Sequence, residues 1–231
     1  MGTTNNGQDA LAERVVRDIH SGMIVGLGTG LVSDRVTRAL AKRVATAGLR
    51  IECVCTSTIT MGLAKSLGLN VVPFADVEAI DYLYDGASEV DTELRMLKGH
   101  HGAITRQRLV AEVAERCVYL TSEDRYTQRL GSKALLSVTI IPFGIASIRA
   151  HLRNIGLSGV IRRTMEGQIF ETEGGGVVLD MTMPDRAPAD LAEVLDRVSG
   201  IVDHGIFLDE ADEVLVECKT GEVKRLVRQE D

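Results

Sequence analysis

The stretch "MIVGLGTGLVSDRV", residues 23–36, decides the fold. It opens with a short apolar run, passes through Gly26, Gly28 and Gly30, and turns helical at Leu31, with Leu31, Val32, Val36, Leu40 and Val44 on one side. A strand, a tight loop and a helix follow from that change of hydrophobic period. Gly48 stops the helix near its C-cap. Upstream, residues 10–19 have helical periodicity. Downstream the pattern repeats. Residues 51–55 read as a strand, 56–67 as a turn and helix closed by Gly68, and 70–73 as a short strand. Residues 79–84 are a strand running into an Asp85-Gly86 turn, a glycine loop after Lys98 opens a helix through Arg116, and 117–121 are a further strand. This alternation predicts a parallel, three-layer α/β sheet whose site lies in the loops at the strand C-termini.

From about Ser137 the order changes. Residues 138–142 read as strand, 143–155 as helix, 160–165 and 177–181 as strands flanking the turn-rich "ETEGGG", and 187–198 as helix. That order predicts a small α+β lobe over 135–203. The large domain is then 1–134 with 204–231, to which the chain returns through Ile206, Phe207 and the hairpin-like "VLVECKTGEVKRLV".

A chain of 231 residues fits one large domain with a smaller one inserted or appended. Hydrophobic residues make up 45% but aromatics only 3%, with no Trp, so the core must be aliphatic, which suits buried parallel strands. A net charge of −7 without any block of Lys and Arg argues against a nucleic-acid partner. "MGTTNNGQDALAERV" has no apolar signal region, and no apolar run approaches a membrane span, so a cytoplasmic protein with no membrane partner is expected. The four cysteines, at 53, 55, 117 and 218, lack metal or disulfide spacing and are expected to be buried free thiols.

Several residues are candidates for chemistry. Gly26, Gly28 and Gly30 let backbone N–H groups and a helix N-terminus face an anion, although a plain glycine turn explains them equally well. No Gly-Lys-Ser/Thr follows, so this is not a Walker loop. Thr56, Ser57, Thr58 and Thr60 stand at a second strand-to-helix junction, where hydroxyls either bind a phosphate or cap the helix. Asp85 ends an apolar strand, with Glu89 and Asp91 close behind; an Asp-Gly turn accounts for Asp85 nearly as simply as a site does. The Lys98 ammonium would stabilise a developing oxyanion, or merely be solvated.

Together, "GLGTG", "TS" after a strand, "DGASEVD", "MLKGHHGAITR" and the late "GIVDHGIF" stand in the order and at about the spacing of the type A ribose-5-phosphate isomerase family. The chain resembles that family over essentially its whole length. The resemblance implies an α/β fold: a Rossmann-like three-layer domain with a mostly parallel sheet, plus a smaller α+β, ferredoxin-like lobe. It also implies a sugar-phosphate substrate held at the strand C-termini, a homodimer or homotetramer, and no metal or organic cofactor. In that family a glutamate shuttles a proton between C1 and C2 through a cis-enediolate and a lysine steadies the oxyanion. Two aspartates and a second lysine handle the hydroxyls, ring opening and phosphate.

Asp85 and Lys98 match the family's catalytic positions, and Gly28, Thr29, Gly30, Thr56 and Ser57, with Thr58 beside them, its substrate and phosphate loops. Glu89, Thr105 and Arg106 also match. Elsewhere the chain departs. Leu31-Val32 replaces a Ser-Thr pair, Ser88 the second aspartate, Arg125 the later lysine, and Gln107 the glutamate after Thr-Arg. An amide has no useful basicity near neutral pH, whereas a carboxylate starts near a pKa of about 4.3 and can be tuned upward, so the ordinary proton shuttle is expected to be absent. Arg125 suits a phosphate bidentately but is a poor proton donor. His100 and His101 occupy the glycine loop where small residues are usual. One of them serves as a relocated base or binds a new substrate group, or both fill space. Three functions follow as alternatives: a ribose 5-phosphate/ribulose 5-phosphate isomerase with altered or lost standard activity, a repurposed enzyme on a modified pentose phosphate, and a non-catalytic sugar-phosphate sensor.

Overall fold

In the computed structural model, residues 9–228 are described. The extreme ends of the predicted large domain, 1–8 and 229–231, and most of the stretch read for a signal peptide lie outside the described residues. Within them no helix is long and apolar enough to cross a membrane. The chain groups into two compact units, one made of the chain up to Gly86, Val110–Glu123 and the chain from Asp212, the other of Ala87–Leu109 and Asp124–Ala211.

In the first unit the short apolar runs and their glycine stops lay out a six-stranded sheet. Its order is Glu52–Cys55, Ile24–Leu27, Tyr82–Gly86, Cys117–Ser122, Glu213–Glu217 and Val223–Val227. The first five strands run parallel and the last is an antiparallel edge, joined to its neighbour as a hairpin. Successive residues alternate between faces. On one face Val25, Leu27, Tyr82, Tyr84, Val118 and Leu120 meet Leu11, Val15, Val36 and Leu40 from the helices Ala10–Val16 and Leu31–Ala47 in a single buried cluster. On the other face Gly26 leaves room for Leu83 and Val110, since a Cβ there would sit 2.8 Å from the Leu83 Cδ1.

Strand order fixes where a ligand belongs. From Ile24–Leu27 the chain crosses outward to Glu52–Cys55, then returns to the opposite side of the first strand as Tyr82–Gly86. The two neighbouring strands Ile24–Leu27 and Tyr82–Gly86 therefore form a topological switch point, and crevices outside the C-terminal ends of strands at such a point bind ligands in open α/β sheets.

The second unit contains an antiparallel four-stranded sheet ordered Ile201–His204, Leu136–Ile140, Val177–Met181 and Gly159–Ile161. Along the chain these are the fourth, first, third and second strands, interleaved with the helices Ile145–Asn154 and Pro188–Asp196 in the ferredoxin-like β-α-β-β-α-β order. Ile148, Leu152, Leu191 and Leu195 from those helices join Val138, Ile140, Val177 and Leu179 in its core.

Several elements differ from the sequence expectation, among them the strand expected over 160–165, which ends at Ile161. Residues 70–73 make a bridge at Val71 rather than a strand, because Cys53 bonds to Asn70 and Val72 on either side and Pro73 then lacks the N–H to continue. The helix expected through Arg116 ends at Glu112, where the backbone turns to pair with Ile80 through Val113 and Glu115. The helix expected over 10–19 ends at Val16. A second four-stranded sheet, of Ile206–Phe207, Met96–Leu97, Glu89–Asp91 and Tyr126–Thr127, had no signal, since strands of two or three residues are too short for periodicity to register.

Candidate functional site

At the switch point of the first unit, Gly28 follows its strand and Asp85 stands near the end of the neighbouring one. The fully buried Asp85 accepts the Thr29 N–H at 3.0 Å and the Gly86 N–H at 2.7 Å on Oδ1, and a Cβ on Gly28 would lie 2.2 Å from that oxygen. Only glycine allows the two strand ends to approach this closely. Gly30, at φ +114°, then starts the helix Leu31–Ala47. No side chain among the described residues caps that helix, so its first-turn N–H groups are open to an external acceptor. Leu31 is 84% exposed, while Val32 packs on the core.

The hydroxyls of the second junction are arranged differently. Thr29 Oγ1 lies 2.7 Å from Thr56 Oγ1 and 2.8 Å from Ser57 Oγ, and Thr60 Oγ1 donates to the Gly28 carbonyl at 3.0 Å. Ser57 caps the helix Thr58–Ser66 by accepting the Thr60 N–H. Thr29, Thr56, Ser57 and Thr60 are all buried and Thr58 is exposed. This network braces the glycine loop against the second junction, and the capping alternative accounts for Ser57. Cys53 and Cys55 nearby on the same strand are free thiols, pushed up to about 12 by burial, which keeps them protonated and inert at neutral pH.

In the second unit Lys98 follows the strand Met96–Leu97 and is 1% exposed, with Nζ 5.5 Å from the centre of the Phe207 ring. Its N–H donates to the Gly205 carbonyl at 2.8 Å, which ties the "GIVDHGIF" segment to the lysine. Gln107 is buried on the helix Ile104–Glu112. His100 and His101 are both exposed, their rings packed edge to face with centres 4.9 Å apart. Ser88, His100 and Arg125 line one cavity of about 470 Å³.

A model of the ribose 5-phosphate isomerase A (phosphoriboisomerase A) family matches residues 52–221. The chain belongs to this family. A ribose-5-phosphate isomerase A from Staphylococcus epidermidis is 35% identical over 210 residues, covering 90% of this chain and 91% of the relative. Among solved structures, ribose 5-phosphate isomerase from Plasmodium falciparum superposes with a TM-score of 0.91 at 27% identity, covering 96% and 98% of the two chains. A D-ribose-5-phosphate isomerase in complex with phospho-erythronic acid gives 0.89 at 28% identity, covering 94% and 96%.

Two residues that hold loops of the second unit carried no clear signal of that role in the sequence. Arg162, from the strand-like stretch after Gly159, donates to the carbonyls of Gly99 at 2.8 Å and His100 at 2.9 Å and pairs with Asp180, so it clamps the loop that bears the histidines. Glu89 matched the family motif as one of a run of acids, and its structural task is to hold a loop. Its carboxylate, fully buried, accepts the N–H groups of Gly131, Ser132, Lys133 and Ala134 and the hydroxyls of Thr127 and Ser132. Burial alone would raise its pKa, but the hydrogen bonds from Ser132, Ala134, Lys133 and Thr127 outweigh it and hold the group below its ordinary 4.5.

A pKa depressed by folding stabilises the protein fully above the ordinary value, and the contribution disappears as pH falls through the folded value. Glu89→Gln is therefore expected to cost about 2–3 kcal/mol at neutral pH, since the amide offers donors where the loop needs an acceptor. Thermal unfolding followed from pH 7 down to pH 3 should show the wild type losing its advantage over the variant below about pH 4.5. Parallel pH curves for the two proteins would show that the Glu89 carboxylate is not what holds the loop.

Proposed function

We propose that this isomerase-family protein binds an open-chain pentose 5-phosphate and that ordinary ribose 5-phosphate/ribulose 5-phosphate isomerisation is sharply reduced in it. The single observation that carries the second part is Gln107, buried on its helix where the family's motif has the proton-shuttling glutamate. Binding functions are retained. The uncapped helix after Gly30 receives the phosphate, with Gly28 and Thr29 shaping the loop and Thr56, Ser57 and Thr58 bracing or rimming it. Asp85 orients a sugar hydroxyl, Lys98 stabilises negative charge on the substrate oxygens, and Ser88 and Arg125 contact the substrate without supplying a base. His100 and His101 do not replace the shuttle in this reading: each is exposed, and a base in water lacks the fixed geometry that proton transfer from carbon requires.

The same proposal keeps 1–134 with 204–231 as the sugar-phosphate-binding domain and 135–203 as the smaller lobe, in a cytoplasmic homodimer or homotetramer. Calorimetry with ribose 5-phosphate, run beside a turnover assay, tests the function. Binding is expected with turnover about 10²–10⁴-fold below an ordinary enzyme rate, the factor that a positioned acid–base group supplies. Turnover of 1–10³ per second, the usual range for enzymes, would remove the claim that Gln107 disables the shuttle.

A further inference from the structure

We infer that the second unit holds an anion subsite, formed by Arg125 and Lys133, for a carboxylate or phosphate that the sugar carries in addition to its 5-phosphate. The inference rests on the sugar-phosphate reading above and specifies the class of substrate.

The cavity that contains Ser88, His100 and Arg125 is also lined by Lys133, Arg162 and Asp180. In a chain of net charge −7, this wall presents three cations against one carboxylate, a local charge of +2 before either state of His100 is counted. Asp180 is already committed. It binds Arg162 through the guanidinium Nε at 2.8 Å, and the remaining Arg162 N–H groups go to Ser137 Oγ and to the Gly99 and His100 carbonyls. That pair is internally neutral, and its donors face the loop it clamps. The positive excess therefore sits on Arg125 and Lys133, neither of which makes an ion pair among the described residues.

Lys133 is exposed, but the loop that carries it is held in place. The backbone N–H groups of the loop that carries it, from Gly131 to Ala134, all point to the buried Glu89 carboxylate. Those N–H groups are thus turned inward, away from any ligand, and the loop's position is fixed. What the loop can offer a ligand in the cavity is the Lys133 ammonium. Arg125 and Lys133 line one concave surface, and an anion bound in it is attracted by both charges. Arg125 adds the planar fork that grips carboxylate or phosphate oxygens in pairs.

The test compares calorimetric affinities of the full chain for ribulose 5-phosphate, ribulose 1,5-bisphosphate and 5-phosphoribonate. The last two add a phosphate or a carboxylate at C1. The wild type should bind at least one of them about 10-fold more tightly than ribulose 5-phosphate, and the preferred one identifies the anion. Lys133→Ala should reduce that preference to about 2-fold or less with the affinity for ribulose 5-phosphate unchanged. Equal wild-type affinity for all three ligands, or a Lys133→Ala loss shared by all three, would overturn the subsite while leaving sugar-phosphate binding intact. Failure of every ligand to bind would instead overturn the sugar-phosphate reading, and the subsite with it.

Discussion

Gln107→Glu is expected to raise turnover of ribose 5-phosphate by about 10²- to 10⁴-fold, the contribution of a positioned general acid–base group. The substitution exchanges an amide for a carboxyl of nearly the same shape at a residue 5% exposed on the helix Ile104–Glu112, so the fold has little to adjust. Burial favours the neutral form of a carboxyl and moves its pKa upward, toward the range in which one group can both take and return a proton. In the proposed reaction Lys98, itself 1% exposed, would supply the complementary charge for an enediolate oxygen. The gain should lie toward the lower end of the range, because Ser88 and Leu31-Val32 still depart from the family pattern. It should appear in kcat, with KM little changed, since a base acts in the transition state and not in the bound ground state. Gln107→Met, which has the size but no basicity, should stay at the wild-type rate. If the Glu and Met variants turn over equally, proton transfer at this position does not limit the protein.

The second large effect is structural. Gly28→Ala should lower stability by about 3–5 kcal/mol, roughly 6–20 °C in Tm for a chain of this size. The added Cβ would lie 2.2 Å from Asp85 Oδ1 and 2.5 Å from the Asp85 Cα. A side-chain oxygen can rotate away, but the Cα belongs to a strand hydrogen-bonded on both sides, to Ile24–Leu27 and Cys117–Ser122. The two strand ends must therefore separate, and the Thr29 N–H to Asp85 bond goes with them. Gly62→Ala is the matched control. It lies in the helix Thr58–Ser66 with nothing within 4 Å of the added atom, so alanine should be neutral or stabilise by up to about 1 kcal/mol through helix propensity. Differential scanning calorimetry of the two variants measures the contrast, and a Gly28→Ala protein that melts with the wild type would mean that the strand ends are not closely packed.

Sequence patterns carried the features that repeat over several helical turns or strands. The helix Leu31–Ala47 and its left-handed Gly48 cap were readable because seventeen residues give the apolar period several turns to register. Strand-to-helix alternation likewise gave the parallel sheet, and hairpin chemistry around "ETEGGG" gave the smaller lobe. At the switch point only Gly28 and Asp85 were readable, because a glycine and an acid there fall at strand ends, although the Asp85-Gly86 pair expected as a turn lies within the strand Tyr82–Gly86. The Glu89 loop could not be read, because its carboxylate reaches N–H groups more than forty positions later through contacts that leave no local pattern. The Arg162 clamp is hidden for the same reason, its loop partners lying about sixty positions upstream. The hydroxyls of Thr56 and Ser57 show the converse: their residue types suit a phosphate rim, yet the structure bonds them to Thr29 and Thr60.

The most direct measurement of the central claim is loss of the C2 hydrogen signal of ribose 5-phosphate, followed by proton NMR in deuterated buffer at saturating substrate. With Gln107 in place of the shuttle, the substrate should remain bound and exchange C2 hydrogen at least about 10²-fold more slowly than with the Gln107→Glu variant. Rapid deuterium incorporation by the wild-type protein, equal to that of the variant, would contradict it.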